Sequence, residues 1–184
     1  MTESSEADTP GRARISLFVG KGGVGKSTLA AATAVRDARS GQRVLVVSTD
    51  QAHSLGDVLG VPVPPTGDRA PIRVLADLDI GDADAGGGFL DALALDTLAL
   101  LEARWRDIAP PLAGRFPQSD LGSVAPEELS AVPGIQEVLG LHEVGQLARS
   151  GNWDHVVVDC ASTADAMRML TLPSNFGLYL ERAW

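Results

Sequence analysis

An α/β domain with a doubly wound, mainly parallel sheet and helices on both faces is the fold class this sequence predicts, and three observations predict it. Apolar, β-branched runs at Arg14–Val19, Val44–Ser48 and Val156–Asp159 read as buried strands. Helical stretches separate them, so the connections suit parallel neighbours. A glycine-rich loop joins the first run to the first helix, as such sheets require where a ligand meets the carboxyl ends of the strands.

The first strand, Arg14-Ile15-Ser16-Leu17-Phe18-Val19, leads into Gly20-Lys21-Gly22-Gly23-Val24-Gly25-Lys26-Ser27-Thr28. That loop fits G-x-x-x-x-G-K-[ST] in full, the phosphate-binding loop of P-loop NTPases. Its glycines let successive backbone N–H groups turn toward phosphate oxygens. Lys26 is expected at the β- and γ-phosphates and Ser27 at Mg²⁺. The segment from Ser27 to Ser40 is alanine-rich without Gly or Pro, and Gly41 stops it as a helix.

Val44-Leu45-Val46-Val47-Ser48 is a continuous apolar run of the kind buried on both faces of a parallel sheet, and Asp50-Gln51-Ala52-His53-Ser54 follows. Pro62 to Pro71 is loop, rich in Pro and Gly, and Ile72 to Ile80 alternates as a further strand. Gly86-Gly87-Gly88 reads as a flexible joint opening a helical insertion over about 86–132. Within it Leu90, Ala94, Leu98, Leu101, Trp105 and Ile108 form an α-helical stripe, packed on its own domain or offered as a docking face to another protein. Arg106 to Ser130 is irregular and proline-containing. Pro133 opens a helix running to about Ser150, Gly151 stops it, and Val156-Val157-Val158-Asp159 is the last strand.

Composition narrows the function classes. The 184 residues suit one domain, here 12–184, after a polar, acidic tail over 1–11 that is expected to be disordered. Fifteen basic against 24 acidic residues give a formal charge of −9, which disfavours nonspecific nucleic-acid binding. The longest apolar stretch, Phe89 to Leu101, carries Asp91 and Asp96 and is too short to cross a bilayer. No direct membrane insertion is expected, and the location expected is cytoplasmic. Cys160 is the one cysteine, so no disulfide framework is available.

The P-loop, Asp50 and Asp159 all fall at strand carboxyl ends, the arrangement Mg·ATP chemistry needs. With its second lysine, Lys21, the loop resembles the deviant P-loop of the dimeric ATPases that include ParA, MinD and the nitrogenase iron protein. Asp50-Gln51-Ala52-His53-Ser54 is similar to the switch I motif D-P-A-H-S of one branch, which holds the ArsA arsenite-pump ATPase and the eukaryotic ATPase that targets tail-anchored proteins. Asp159-Cys160-Ala161-Ser162-Thr163, then Arg168 and Leu172-Pro173, resembles its switch II pattern. The likeness covers nearly all of Ile15 to Trp184.

The resemblance implies an ATP-binding and ATP-hydrolysing protein whose homodimer closes on Mg·ATP, coupled to a client protein, a membrane-protein partner or anion transport. It implies that Lys21 reaches the partner's nucleotide, Asp50 polarises the attacking water, and Lys26 contacts the phosphates. Ser27 would ligate Mg²⁺, Asp159 would touch the metal through water, and His53, Ser54, Ala161, Ser162 and Thr163 would move as switches. Gln51, Ser162, Ala164 and Asp165 depart from the pattern, which leaves hydrolysis less secure than binding. Cys160 supplies neither the several thiols of an ArsA metalloid site nor the paired cysteines of the targeting ATPase.

Related folds also place the P-loop strand between the switch II strand and a later one. This sequence stops within what resembles the helix after switch II, so C-terminal strands are expected to be missing and Arg14–Val19 to form an open sheet edge. Another chain or a longer polypeptide would then complete it. Two alternatives remain: a non-catalytic or partial nucleotide-binding module, and a ParA/MinD-like positioning ATPase.

Overall fold

The computed structural model describes residues 12–49, 54–78, 87–103 and 135–160. Six strands form one sheet: β1 (Arg14–Phe18), β2 (Arg43–Ser48), β3 (Pro65–Thr66), β4 (Ile72–Leu78), β5 (Gly88–Leu95) and β6 (His155–Asp159). Their order is β1-β6-β2-β5-β3, with β4 also on β5. Every pairing is parallel except β4–β5. The described helices are α1 (Lys26–Arg39), α2 (Ser54–Leu59), α3 (97–103) and α4 (Ile135–Arg149).

The two faces of the sheet follow from side-chain alternation. Val44 and Val46 of β2, Leu90, Ala92 and Ala94 of β5, and Val157 of β6 face α1, where Ala30, Ala31, Ala34 and Ala38 permit close approach. Leu45, Val47, Leu93, Val156 and Val158 face the other way, against Val144, Leu147 and Ala148 of α4 and the ring of Trp153. Because β2 and β6 are covered on both sides, all five residues of β6 and the last five of β2 are buried. That explains why their sequences read as unbroken valine-rich runs.

Among the described residues β1 pairs only with β6. The strand expected over Ile72 to Ile80 forms as β4, antiparallel and with register shifts at Leu75 and Leu78. The loop expected over Pro62 to Pro71 contributes the two residues of β3 to the carboxyl end of β5.

The helix expected from Leu90 to Ile108, and with it the start of the insertion expected over 86–132, requires correction. Gly88–Leu95 is β5, a strand flanked by β2 on one side and by β3 and β4 on the other. Leu90 and Leu93 are 0% and 1% exposed, so this part offers no docking face. The alanines and leucines that mimic a helical stripe are here buried on both faces, a case in which periodicity does not separate helix from strand. The helix begins only after Asp96, whose Oδ1 accepts hydrogen bonds from the N–H groups of Leu98 (3.1 Å) and Ala99 (3.0 Å).

Gly88 is also no loose joint. A Cβ there would collide with the carbonyl oxygen of Ala38 and lie 2.8 Å from Cα of Gly41, so the end of α1 packs directly on the start of β5. Residues 1–11, 104–132 and Pro133 lie outside the described residues.

Candidate nucleotide site

Register brings the site together. Phe18 of β1 and Ser48 of β2 both stand beside Asp159 of β6, so three strand ends form one row. Beyond that row the chain hydrogen-bonds across the strands. The Cys160 N–H donates to the Phe18 carbonyl at 3.1 Å, and the Thr49 N–H donates to the Asp159 carbonyl at 3.0 Å. The loop over 20–25 leaves the end of β1 and feeds α1, which starts at Lys26.

Within the loop Gly23 and Gly25 have φ of 76° and 85°, left-handed conformations that only glycine adopts cheaply. Gly22 has no such requirement, and a Cβ there would meet nothing within 4 Å. Packing within the described residues therefore does not account for glycine at that position, whereas close approach of a ligand to the backbone does.

Lys26 is buried to 9% exposure, with its stem against Gly20, where a Cβ would come within 3.4 Å of Cγ and Cδ. Its Nζ donates to the Lys21 carbonyl at 3.2 Å. A buried ammonium facing an exposed glycine loop is poised to exchange a backbone acceptor for a phosphate oxygen. Lys21 and Val24 are exposed, Val24 to 64%.

Ser27, on the first turn of α1, shares a 2.8 Å hydrogen bond with the Ser54 hydroxyl at the start of α2. Asp159 is fully buried at the end of β6. Burial, reinforced by the neighbouring Asp159 charge and opposed by Lys26, pushes the Cys160 thiol up to about 11. Cys160 is therefore a neutral, inert thiol beneath the site rather than a reactive one. Thr49 Oγ1 is buried and has no partner among the described residues.

These groups fit Mg²⁺ with a nucleotide. The described residues contain no cluster of three or more His, Cys, Asp or Glu able to hold a metal. Mg²⁺ does not need one, because it keeps several waters and takes one or two protein ligands beside substrate phosphates. Ser27, Asp159 and Thr49, whose hydroxyl has no partner among the described residues, are oxygen donors of that kind at this end of the sheet.

The sequence-expected residues Gly20 to Thr28, Ser54 and Asp159 are thus described; Ser27 bonds to Ser54, Lys26 to the loop backbone, and Asp159 ends β6 beside the end of β1 from which the loop leaves. Asp50, His53, Ala161, Ser162 and Thr163 lie outside the described residues, as do Gln51, Ala164 and Asp165. Sequence reasoning passed over Thr49. Its position just before Asp50 at a strand end was the available signal, but a threonine there looks no different from any β-former.

A family model described as the anion-transporting ATPase, ArsA, matches residues 13–184. The chain belongs to the ArsA ATPase family. Among relatives of this ArsA-family chain, Protein Rv2184c of Mycobacterium tuberculosis is 73% identical over 180 residues, 98% of this chain and 42% of that protein. Protein SCO2128 of Streptomyces coelicolor is 34% identical over 169 residues, 92% of this chain and 39% of its own length. An arsenical pump-driving ATPase of Escherichia coli is 31% identical over 170 residues, 90% of this chain and 26% of its own length. The ArsA-family chain spans less than half the length of each of these relatives.

Proposed function

We propose that this chain binds Mg·ATP at Gly20–Thr28 and forms the nucleotide-binding part of an ATPase. The observation that carries the reading is the convergence of the glycine loop, buried Lys26, the Ser27–Ser54 hydroxyl pair and Asp159 at one end of a parallel sheet. Mg²⁺ bound there would supply positive charge against the charge that develops on the phosphates during transfer. Ser27 would hold the metal directly and Asp159 would hold it through water. The backbone N–H groups of Gly20 to Gly25 orient the phosphates, and Lys26 draws charge toward the bridging oxygens.

In this reading Asp50 polarises the attacking water. Lys21, exposed on the loop, reaches the nucleotide of a second copy, so hydrolysis requires a dimer. Opening and closing of that dimer would be coupled to a partner protein or to anion transport, through a partner that binds the two states with different affinity. In this reading the protein works in the cytoplasm, where ATP is supplied. No helix among the described residues is long and apolar enough to cross a membrane.

The test is Mg²⁺-dependent ATP hydrolysis against protein concentration, with Lys21→Ala and Lys26→Ala alongside. The expected result is turnover per chain that rises with concentration and collapses in both variants. Lys26→Ala should also weaken nucleotide binding by about 10- to 100-fold, the range for losing a charged hydrogen bond. Turnover retained in Lys26→Ala would overturn the reading. Nucleotide bound without turnover would favour a non-catalytic module, a reading that Ser162, Ala164 and Asp165 already lend some weight.

A further inference from the structure

The Ser27–Ser54 bond joins residues 27 positions apart, at 2.8 Å, between the helix that follows the phosphate loop and a short helix from the next crossover. Ser54 is held there by its neighbours. Leu55 is 1% exposed in the core between α1 and the sheet. Gly56 packs so closely that a Cβ would lie 3.0 Å from the Val61 carbonyl oxygen. The Val61 N–H closes the turn on the Gly56 carbonyl at 3.2 Å. Leu55 and Gly56 thus anchor α2 on the core side, and the Ser27–Ser54 bond fastens its start.

We propose that Ser54 is a positioning residue for the metal ligand Ser27. This rests on the Mg·ATP reading of the site. A serine hydroxyl has one proton and two lone pairs. Without metal, either serine is able to donate to the other. Once Ser27 turns a lone pair toward a cation, its proton must point away from the metal, and Ser54 Oγ is the acceptor already in place. The cation withdraws density from Ser27 Oγ and makes it a stronger donor, so metal binding and the hydroxyl pair strengthen each other.

A mechanical consequence follows. Residues 50–53, which include Asp50, connect Thr49 to Ser54. Thr49 is tied by its N–H to the Asp159 carbonyl, and Ser54 by its hydroxyl to Ser27. One end of that segment is therefore fastened to the Asp159 backbone and the other to the Ser27 hydroxyl, and loading the metal tightens the Ser54 end.

The experiment is a Mg²⁺ titration of fluorescent ADP-analogue binding to the full chain, beside nucleotide affinity in EDTA, for wild type, Ser54→Ala and Ser54→Thr. Ser54→Ala should raise the Mg²⁺ half-saturation about two- to tenfold, the range of one neutral hydrogen bond, and leave the EDTA affinity within about twofold. Ser54→Thr, which keeps the hydroxyl, should recover most of the loss. Equal weakening with and without Mg²⁺, or no change in half-saturation, would overturn the proposal. Wild type that binds no nucleotide in either buffer would remove the Mg·ATP reading and this proposal with it. Amide exchange in nucleotide-free protein reads the bond without ligand: Ser27→Ala should speed exchange across 54–59 about two- to tenfold. Unchanged exchange there would show that the hydroxyl pair does not hold α2.

Discussion

The two ends of the sheet are both rich in polar groups, yet they dispose of them in opposite ways. At the amino ends of the strands the groups satisfy one another. His155, which opens β6 and is 1% exposed, lies 2.8 Å from Asp37 of α1 through Nδ1 and 2.9 Å from the Ser16 hydroxyl through Nε2. The network is satisfied when a neutral imidazole donates from Nδ1 to the Asp37 carboxylate and accepts at Nε2 from Ser16. Arg14 and Arg36 close on the same carboxylate at 2.9 Å and 2.7 Å. Nearby, Trp153 Nε1 donates to Asp91 at 2.9 Å, and Arg73 pairs with Asp91 while stacking on the Phe89 ring.

At the carboxyl ends the Thr49 hydroxyl has no partner among the described residues, Ser27 meets another hydroxyl, and Lys26 rests on a backbone carbonyl. The first arrangement is complete without a ligand. Among the described residues, the second is not. The comparison teaches that polarity alone does not mark a site in this molecule; polarity left to be satisfied does.

If that contrast holds, substitutions at the amino end should cost stability and spare nucleotide affinity, the reverse of Lys26→Ala. Gly88→Ala should have the largest effect. Its Cβ meets backbone atoms of Ala38 and Gly41, which cannot swing aside, so a loss of about 3 kcal/mol is expected in urea denaturation. A loss below about 1 kcal/mol would mean that α1 and β5 are not held as closely as described.

Asp37→Ala comes next. Arg14 and Arg36 are 60% and 71% exposed and regain water when the carboxylate goes, whereas the buried His155 N–H does not. Arg14 Nη2, 3.0 Å from His155 Nδ1, remains as a donor to the other tautomer, so the cost should be that of one buried hydrogen bond, about 1.5 kcal/mol. The same network sets a pH dependence. Burial, and then the Arg14 charge, push His155 below its ordinary 6.5, and Asp37 does not fully offset them. The unfolded chain takes up a proton there before the native one does, so stability should decline as pH falls below about 6.5.

Asp37 adds to the decline at lower pH. Burial raises its carboxyl, but the hydrogen bonds from Arg36 and His155 outweigh this and leave it below 3.8. Its contribution is present above 3.8 and is lost as pH falls through the depressed value. Denaturation midpoints from pH 8 to 4 check the His155 contribution, and their extension to about pH 2 checks that of Asp37. A midpoint that rises between pH 7 and 5 would mean a charged imidazolium pairs with Asp37, contrary to the neutral ring described.

The smallest effect should come from Arg43→Ala. Its 2.6 Å pair with Asp154 is well formed, and each side chain holds the other away from its ordinary titration range in the direction that favours the ion pair. Both are more than 40% exposed, so water and salt replace the pair at a cost below about 1 kcal/mol.

Much of this was legible in the residues. The glycine loop between strand and alanine-rich helix is a local device, and its left-handed glycines at 23 and 25 follow from chain chemistry alone. The valine runs of β2 and β6 announced a sheet covered on both faces. The Asp37–His155 network was only partly legible. Residues 30, 34, 37 and 38 share one helical face, so an acid on an otherwise alanine stripe pointed to a buried partner, but nothing local named His155, 118 positions away.

By itself, then, the sequence determined the phosphate loop, the helix it feeds, and the strands whose burial on both faces shows as unbroken apolar runs. These depend on backbone conformation and on residues close together along the chain. Tertiary structure alone decided that Gly88–Leu95 is a strand, because leucine and alanine suit either state until β2, β3 and β4 offer their hydrogen bonds. It alone also decided that Ser54 meets Ser27 and that Thr49 stands beside the Asp159 backbone with no hydroxyl partner among the described residues. Such pairings depend on strand order and register, which bring distant residues within 3 Å and leave no periodic trace in the chain.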